Sequence, residues 1–186
     1  MDLVMVKDDI LPKELCLEMI RRFDADSRKR PGVTFKGLDS NIKNSEDLII
    51  SRLQEWDDVC SRLDAILKEC IQHYGQFVSD MFPQPDSFED TWHTSYQVQK
   101  SGHYLWHNDS AVEDNRVRII TFIFYLNTVK EGGETDFHFK QVKPVEGRVV
   151  MFPASWEYIH CGRPARDKYI VTGWLSRPVR VKKMLQ

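Results

Sequence analysis

Residues 117–127 read VRIITFIFYLN, a run dominated by β-branched and aromatic side chains, and its reading decides the architecture. Such a composition favours a strand over a helix. It has companions in WHTSYQVQ (92–99), TDFHF (135–139), GRVVMF (147–152) and KYIVTGWL (168–175), set apart by turn signals such as KEGGE (130–134) and KPVEG (143–147). The preceding part of the chain has a different period. Pro12 suits a first helical turn, and Leu15, Met19, Ile20 and Phe23 follow at helical spacing. A second apolar stripe passes through Ile49, Leu53, Trp56, Cys60, Leu63, Leu67, Cys70 and Tyr74 in steps of three and four, which predicts one continuous helix. Helices first and antiparallel strands afterwards predict an α+β fold, a sandwich or jelly-roll with helices packed outside it.

The 186 residues suit one domain, 1–186, divided into a mainly helical support region (1–84), a β core (85–178) and a tail (179–186). A formal net charge of −2 gives no support to an overall nucleic-acid or membrane-surface role. No apolar run approaches a transmembrane span, and the opening MDLVMVKDDILPKEL carries acids where a secretory signal would carry an apolar core. Cys16, Cys60, Cys70 and Cys161 show no C-x-x-C spacing and read as free, mostly buried thiols, which suits a cytoplasmic protein. Residues 28–45, RKRPGVTFKGLDSNIKNS, read as an irregular loop with a net charge of +4. Such a run is ordinarily a solvated surface; near a catalytic pocket it would act as a substrate-side lid. MFPQPDSFED (81–90), with two prolines, reads as a connector.

Chemistry concentrates in HYLWHNDS (103–110). A strand places alternate side chains on one face, so His107 and Asp109 could grip one ion together. Alone the pair is weak, since H-x-D arises by chance in about one such chain in two. A facial triad for non-haem iron needs a second neutral imidazole and leaves three coordination positions open. His160, after the β-rich RVVMFPASW, is the best candidate; His138 competes, while His73, His93 and His103 lack comparable context. Lys168 opens a strand in register with Ile170, Thr172 and Trp174. A lysine aimed into a pocket is costly unless an anion meets it, whereas a surface lysine at a strand end is commonplace.

YLWHND, RIITFIFYLN, GGETDF, KPVEGRVVMFP and HCGRPARDKYIVTGWL together resemble, in order and spacing, the Fe(II)/2-oxoglutarate-dependent dioxygenases, and within them the prolyl hydroxylase type. The resemblance covers residues 92–178. It implies a double-stranded β-helix (jelly-roll, cupin-like) core with N-terminal support helices. It also implies that His107, Asp109 and His160 are the iron ligands and that Lys168 meets the C5 carboxylate of 2-oxoglutarate. Many relatives have arginine at that position, and lysine keeps the charge without the bidentate geometry. Tyr125 matches a tyrosine that helps hold the same carboxylate, and Thr121 shares its strand face. Tyr104 is expected on the substrate wall, with Trp174 and Arg166 as further candidates there, although solvent is the simpler place for Arg166. Gly132 and Gly133 match a turn needing positive φ.

The resemblance further implies Fe(II), 2-oxoglutarate and dioxygen as cofactors and cosubstrates, and leaves ascorbate open. The expected reaction converts 2-oxoglutarate to succinate and carbon dioxide while hydroxylating a C–H bond of a prolyl residue in a peptide or protein. A free amino acid or other small molecule is the alternative target. A cosubstrate-independent cupin-like oxygenase, a nucleic-acid demethylase and a non-catalytic module that keeps the fold are the rival readings. No nucleic-acid or membrane partner is expected, and the motifs leave the oligomeric state open.

Overall fold

A computed structural model describes residues 2–34, 36–81, 92–93 and 95–179. In chain order its elements are β1 (Met5–Lys7), α1 (Lys13–Ala25), β2 (Arg30–Pro31), β3 (Lys43–Ile49), α2 (Asp57–Met81), β4 (Trp92–His93), β5 (Gln97–His107) and β6 (Val112–Glu113). Then follow β7 (Arg116–Tyr125), β8 (Thr135–Phe137), β9 (Lys140–Val142), β10 (Val149–Pro153), β11 (His160–Gly162) and β12 (Lys168–Pro178). The strands pair in the order β1-β10-β7-β12-β5-β11-β8-β9, with β2 and β3 continuing the sheet from β5, β4 on β12 and β6 on β7. This is the expected jelly-roll.

The run 117–127 explains itself once the sheet is built. Phe122 and Phe124 of β7 pack outward with Val171 and Met151 against Leu15, Met19 and Phe23 of α1 and Val59, Leu63, Leu67 and Tyr74 of α2. Ile123 and Tyr125 point the other way, into a second cluster with Val150, Phe152 and Ile170 inside the roll. A strand covered on both faces reads as continuous apolar sequence, not as alternation.

Three expectations need correction. The stripe from Ile49 is not one helix: Ile49 ends β3, Ile50–Arg52 and Gln54–Trp56 are 3-10 turns, and α2 starts at Asp57. Residues 43–49 alternate in burial and pair with β5, so sheet pairing overrides a helical period that happened to extend backwards. Pro12 is the residue before the helix, whose first turn begins at Lys13. The 28–45 stretch is not wholly irregular either, because Arg30 and Pro31 pair with Asp47 and Glu46, and Lys43 to Ser45 belong to β3. Residues 82–90 of the proposed connector and all of the tail beyond Val179 lie outside the described residues. The four cysteines are free, three of them buried. Among the described residues, no helix is long and apolar enough to cross a membrane.

Candidate active site

His107 closes β5, His160 opens β11, and the two face each other as cross-strand partners. Asp109 lies beyond the end of β5, so strand alternation does not place it. The Thr121 hydroxyl on β7 does, donating to Asp109 Oδ2 at 2.7 Å. His107 Nε2 is then 3.8 Å from Asp109 Oδ1, and His160 Nε2 is 3.6 Å from Asp109 Oδ2. Ligand atoms of the three side chains lie within 4.8 Å of one another.

The tautomers follow from the backbone. His107 Nδ1 is 2.7 Å from the Leu105 carbonyl and His160 Nδ1 is 3.0 Å from that of Tyr158. A carbonyl only accepts, so each Nδ1 carries the proton and each Nε2 lone pair faces the centre. Burial, and then the neighbouring His160, push the His107 imidazole down to about 4, so it is neutral near pH 7. Burial opposes ionisation of Asp109, but the two imidazoles and Thr121 together hold its carboxyl below the usual carboxylate range. Two neutral nitrogens and one carboxylate, each oriented from behind, fit a divalent transition metal with open positions.

The triad sits in a cavity of about 600 Å³. Its floor is the inner face of four adjacent strands: Thr121 and Ile123 of β7, Lys168 to Trp174 alternately on β12, Gln97 to Ser101 on β5, and Lys43, Asp47 and Ile49 of β3. Lys168 is 2% exposed, and the partner of its ammonium is the Gly133 carbonyl at 3.1 Å. Burial pushes it down to about 8. Such a cation, on the cavity wall without an ion-pair partner among the described residues, is built for an incoming anion. Gly132 and Gly133 do adopt positive φ (72° and 76°). Gly133 has a second reason to be glycine, since a Cβ there would lie 3.2 Å from Lys168 Cδ.

The other expected residues divide. Tyr104 lines the cavity and stacks on His107 at 3.5 Å between ring centroids. Trp174 lines it too, and its indole N–H faces the Asp109 carboxylate and helps keep it ionised. Thr121 lines the cavity but spends its hydroxyl on Asp109. Tyr125 is fully buried, its hydroxyl 2.7 Å from that of Thr135, and Thr135 forms the wall at that point. Arg166 is exposed and borders a separate shallow depression beside Lys100 and Asp167, so of its two places it takes the solvent one, and its candidacy for the substrate wall is corrected to the outer surface. His138 is exposed and stacks on Trp106 at 4.7 Å, away from the triad, because β8 ends at Phe137 and the chain turns there.

Sequence reasoning missed Thr135, Lys43 and Arg118. Lys43 is buried and paired with Asp47 at 2.6 Å, where a solvated loop lysine was expected. Arg118 lies over the Trp174 ring at 3.7 Å and holds Glu113 at 3.0 Å, while its Nε is buried and has no partner among the described residues. By number Arg118 is out of phase with Thr121 and Ile123, but Ile119 is an extra residue in β7 where Leu175 and Ser176 pair with Ile120 and Arg118, and this brings Arg118 to their face, which hides it from a parity argument.

Residues 91–176 match the model of the 2OG-Fe(II) oxygenase superfamily. Fe(II), 2-oxoglutarate and dioxygen are the cofactor and cosubstrates of that superfamily, and the His107–Asp109–His160 donor set suits the iron. The fold is that of the prolyl hydroxylases. It is similar to the viral collagen prolyl hydroxylase of Paramecium Bursaria Chlorella virus-1 in its 2-oxoglutarate complex (TM-score 0.67, 20% identity, 95% of this chain and 97% of that one). It is also similar to a Trichoplax adhaerens prolyl hydroxylase bound to a hypoxia inducible factor peptide fragment (0.70, 19%, 92% and 82%). A Pseudomonas putida prolyl-4-hydroxylase compares likewise (0.66, 22%, 94% and 92%). No curated protein matches the chain by sequence.

Proposed function

We propose that the protein is an Fe(II)- and 2-oxoglutarate-dependent hydroxylase acting on a prolyl residue within a peptide. The observation that carries the chemistry is the shared cavity: a neutral-imidazole and carboxylate triad on one side, and on another wall a buried ammonium with no ion-pair partner among the described residues. When bound, iron with 2-oxoglutarate and dioxygen supplies the oxidising power, yielding succinate, carbon dioxide and a hydroxylated carbon. The chain itself binds and orients. His107, Asp109 and His160 hold the metal, and Thr121 keeps the Asp109 carboxylate turned toward it. Lys168 takes the far carboxylate of the cosubstrate, with the Thr135 hydroxyl, backed by Tyr125, beside it.

The target reading rests on the opposite wall. Arg118 Nε is a buried donor without an acceptor among the described residues, and Arg118 lines the cavity. Leaving such a donor unsatisfied is costly, so it favours a substrate that brings an acceptor, as a peptide carbonyl does. The likeness in fold to prolyl hydroxylases supports a prolyl residue as the target. The test is succinate release from 2-oxoglutarate with a panel of peptides and free amino acids, followed by mass spectrometry of the products. A gain of one oxygen on proline-containing peptides is expected. Oxygen gain confined to free amino acids would overturn the peptide assignment.

A further inference from the structure

We infer that the outer part of this cavity selects acidic side chains flanking the oxidised residue of a peptide, an inference that rests on the peptide reading above. The cavity inverts the charge of the chain. Against an overall net charge of −2, its lining carries six cations (Arg28, Arg30, Lys43, Arg52, Arg118, Lys168) and three acids (Asp47, Asp109, Glu113), an excess of +3 with histidines neutral. A divalent iron and a doubly charged 2-oxoglutarate cancel each other, so the excess survives with both bound.

The excess is localised. Lys43 is paired with Asp47 and Arg118 with Glu113. Arg28 is held by Asp26 and Glu55, neither of which lines the cavity. Arg30 and Arg52 have no acidic partner among the described residues; Arg30 makes one hydrogen bond, to the Lys29 carbonyl at 3.3 Å. Both are exposed at the rim, where a substrate can reach them.

Their distance from the cosubstrate wall says what must reach them. Cross-strand partners form one row, Tyr125–Ile170–Gln99–Asp47–Arg30. At about 4.8 Å per strand, Arg30 lies about 14 Å across the sheet from β12, the strand that carries Lys168. A dicarboxylate anchored at Lys168 cannot span that distance. An extended chain of about four or five residues does. Aliphatic Pro31, Val33, Ile49 and Leu53 line the same cavity. The cavity aromatics Tyr104 and Trp174 are already stacked on His107 and Arg118, which leaves no free ring for nucleobases among the described residues and favours a peptide over a nucleic acid.

The test uses four dye-labelled peptides of one length, with or without a central proline and with acidic or neutral flanks. Binding to the anaerobic, metal- and 2-oxoglutarate-loaded protein is read by fluorescence anisotropy. Acidic flanks should tighten binding by about tenfold, the combined effect of two partly exposed ion pairs, with or without proline. The preference should vanish in the Arg30→Ala/Arg52→Ala variant and reverse toward lysine-flanked peptides in Arg30→Glu/Arg52→Glu. Affinity for 2-oxoglutarate should stay unchanged in both, which shows that they are folded. Equal binding of acidic and neutral flanks, or a preference that survives in the double variant, overturns the inference. So does a single-stranded oligonucleotide that displaces the acidic peptide at lower concentration than the peptide itself. The proline axis reports separately on the prolyl reading: acid-dependent binding with no contribution from proline would sink that reading and leave this one standing.

Discussion

Replacing Lys168 by methionine should move stability and cosubstrate affinity in opposite directions. The side chain is 2% exposed, and burial pushes its ammonium from the ordinary 10.5 to about 8. That gap corresponds to about 3 kcal/mol spent on keeping the group charged at neutral pH without a counter-anion. Methionine fills a similar volume without the charge, so the cosubstrate-free variant should be more stable than wild type at pH 7, by up to about 3 kcal/mol. The sign with pH follows. The folded value lies below the unfolded one, so between about pH 8 and 10.5 the unfolded chain binds more protons. Wild-type stability should therefore rise across that window relative to the variant. With 2-oxoglutarate the order reverses. An unpaired carboxylate left in the pocket costs about 3–5 kcal/mol, or about a hundredfold to a few thousandfold in dissociation constant. Wild-type affinity should itself decline above about pH 8, as the free ammonium loses its proton. Urea unfolding of the cosubstrate-free protein and calorimetric 2-oxoglutarate binding to the anaerobic metal-loaded protein read the two effects, with metal content checked alongside. Unchanged affinity in the variant would refute Lys168 as the anchor. Lower stability at pH 7 would refute the reasoning about its charge.

The metal site gives two further expectations. His160→Ala should abolish stoichiometric metal binding, and full metal content in that variant would remove His160 from the ligand set; zinc, nickel or manganese should substitute for iron in wild type, with ligand bonds of about 2.0–2.3 Å. Thr121→Val removes the donor to Asp109 Oδ2 and should weaken metal binding by about 10–100-fold in a competition titration with a chelator. Behind the cosubstrate wall, Tyr125→Phe breaks the 2.7 Å bond to Thr135 and should lower unfolding stability by about 1 kcal/mol. Gly133→Ala places a Cβ on a positive-φ residue against Lys168 and Ala165, so it should lower both unfolding stability and 2-oxoglutarate affinity in the assays above.

What the sequence determined by itself is local or ordered along the chain. Dense β-branched and aromatic runs, punctuated by KEGGE and KPVEG, specify strands and the turns between them, and the paired glycines announce positive φ. The order of five short motifs was enough to nominate His107, Asp109, His160 and Lys168, and the fold gathers all four around one cavity. Tertiary structure decided everything that depends on which strand lies beside which. The helical period that seemed to include Ile49 yields to β3 because Lys43–Ile49 finds partners in β5 and β2, residues that no local window contains. Asp109 owes its orientation to Thr121 across the roll, not to strand alternation. Arg118 enters the cavity because an extra residue in β7, at its register shift against β12, changes its phase, and Arg166 lies outside it because the chain around Asp167 turns to the outer surface. The row that carries Arg30 to the rim crosses five strands whose order is not written in any one of them. Periodicity says which residues share a face. Pairing and register, set by the burial of the whole sheet, say what that face meets.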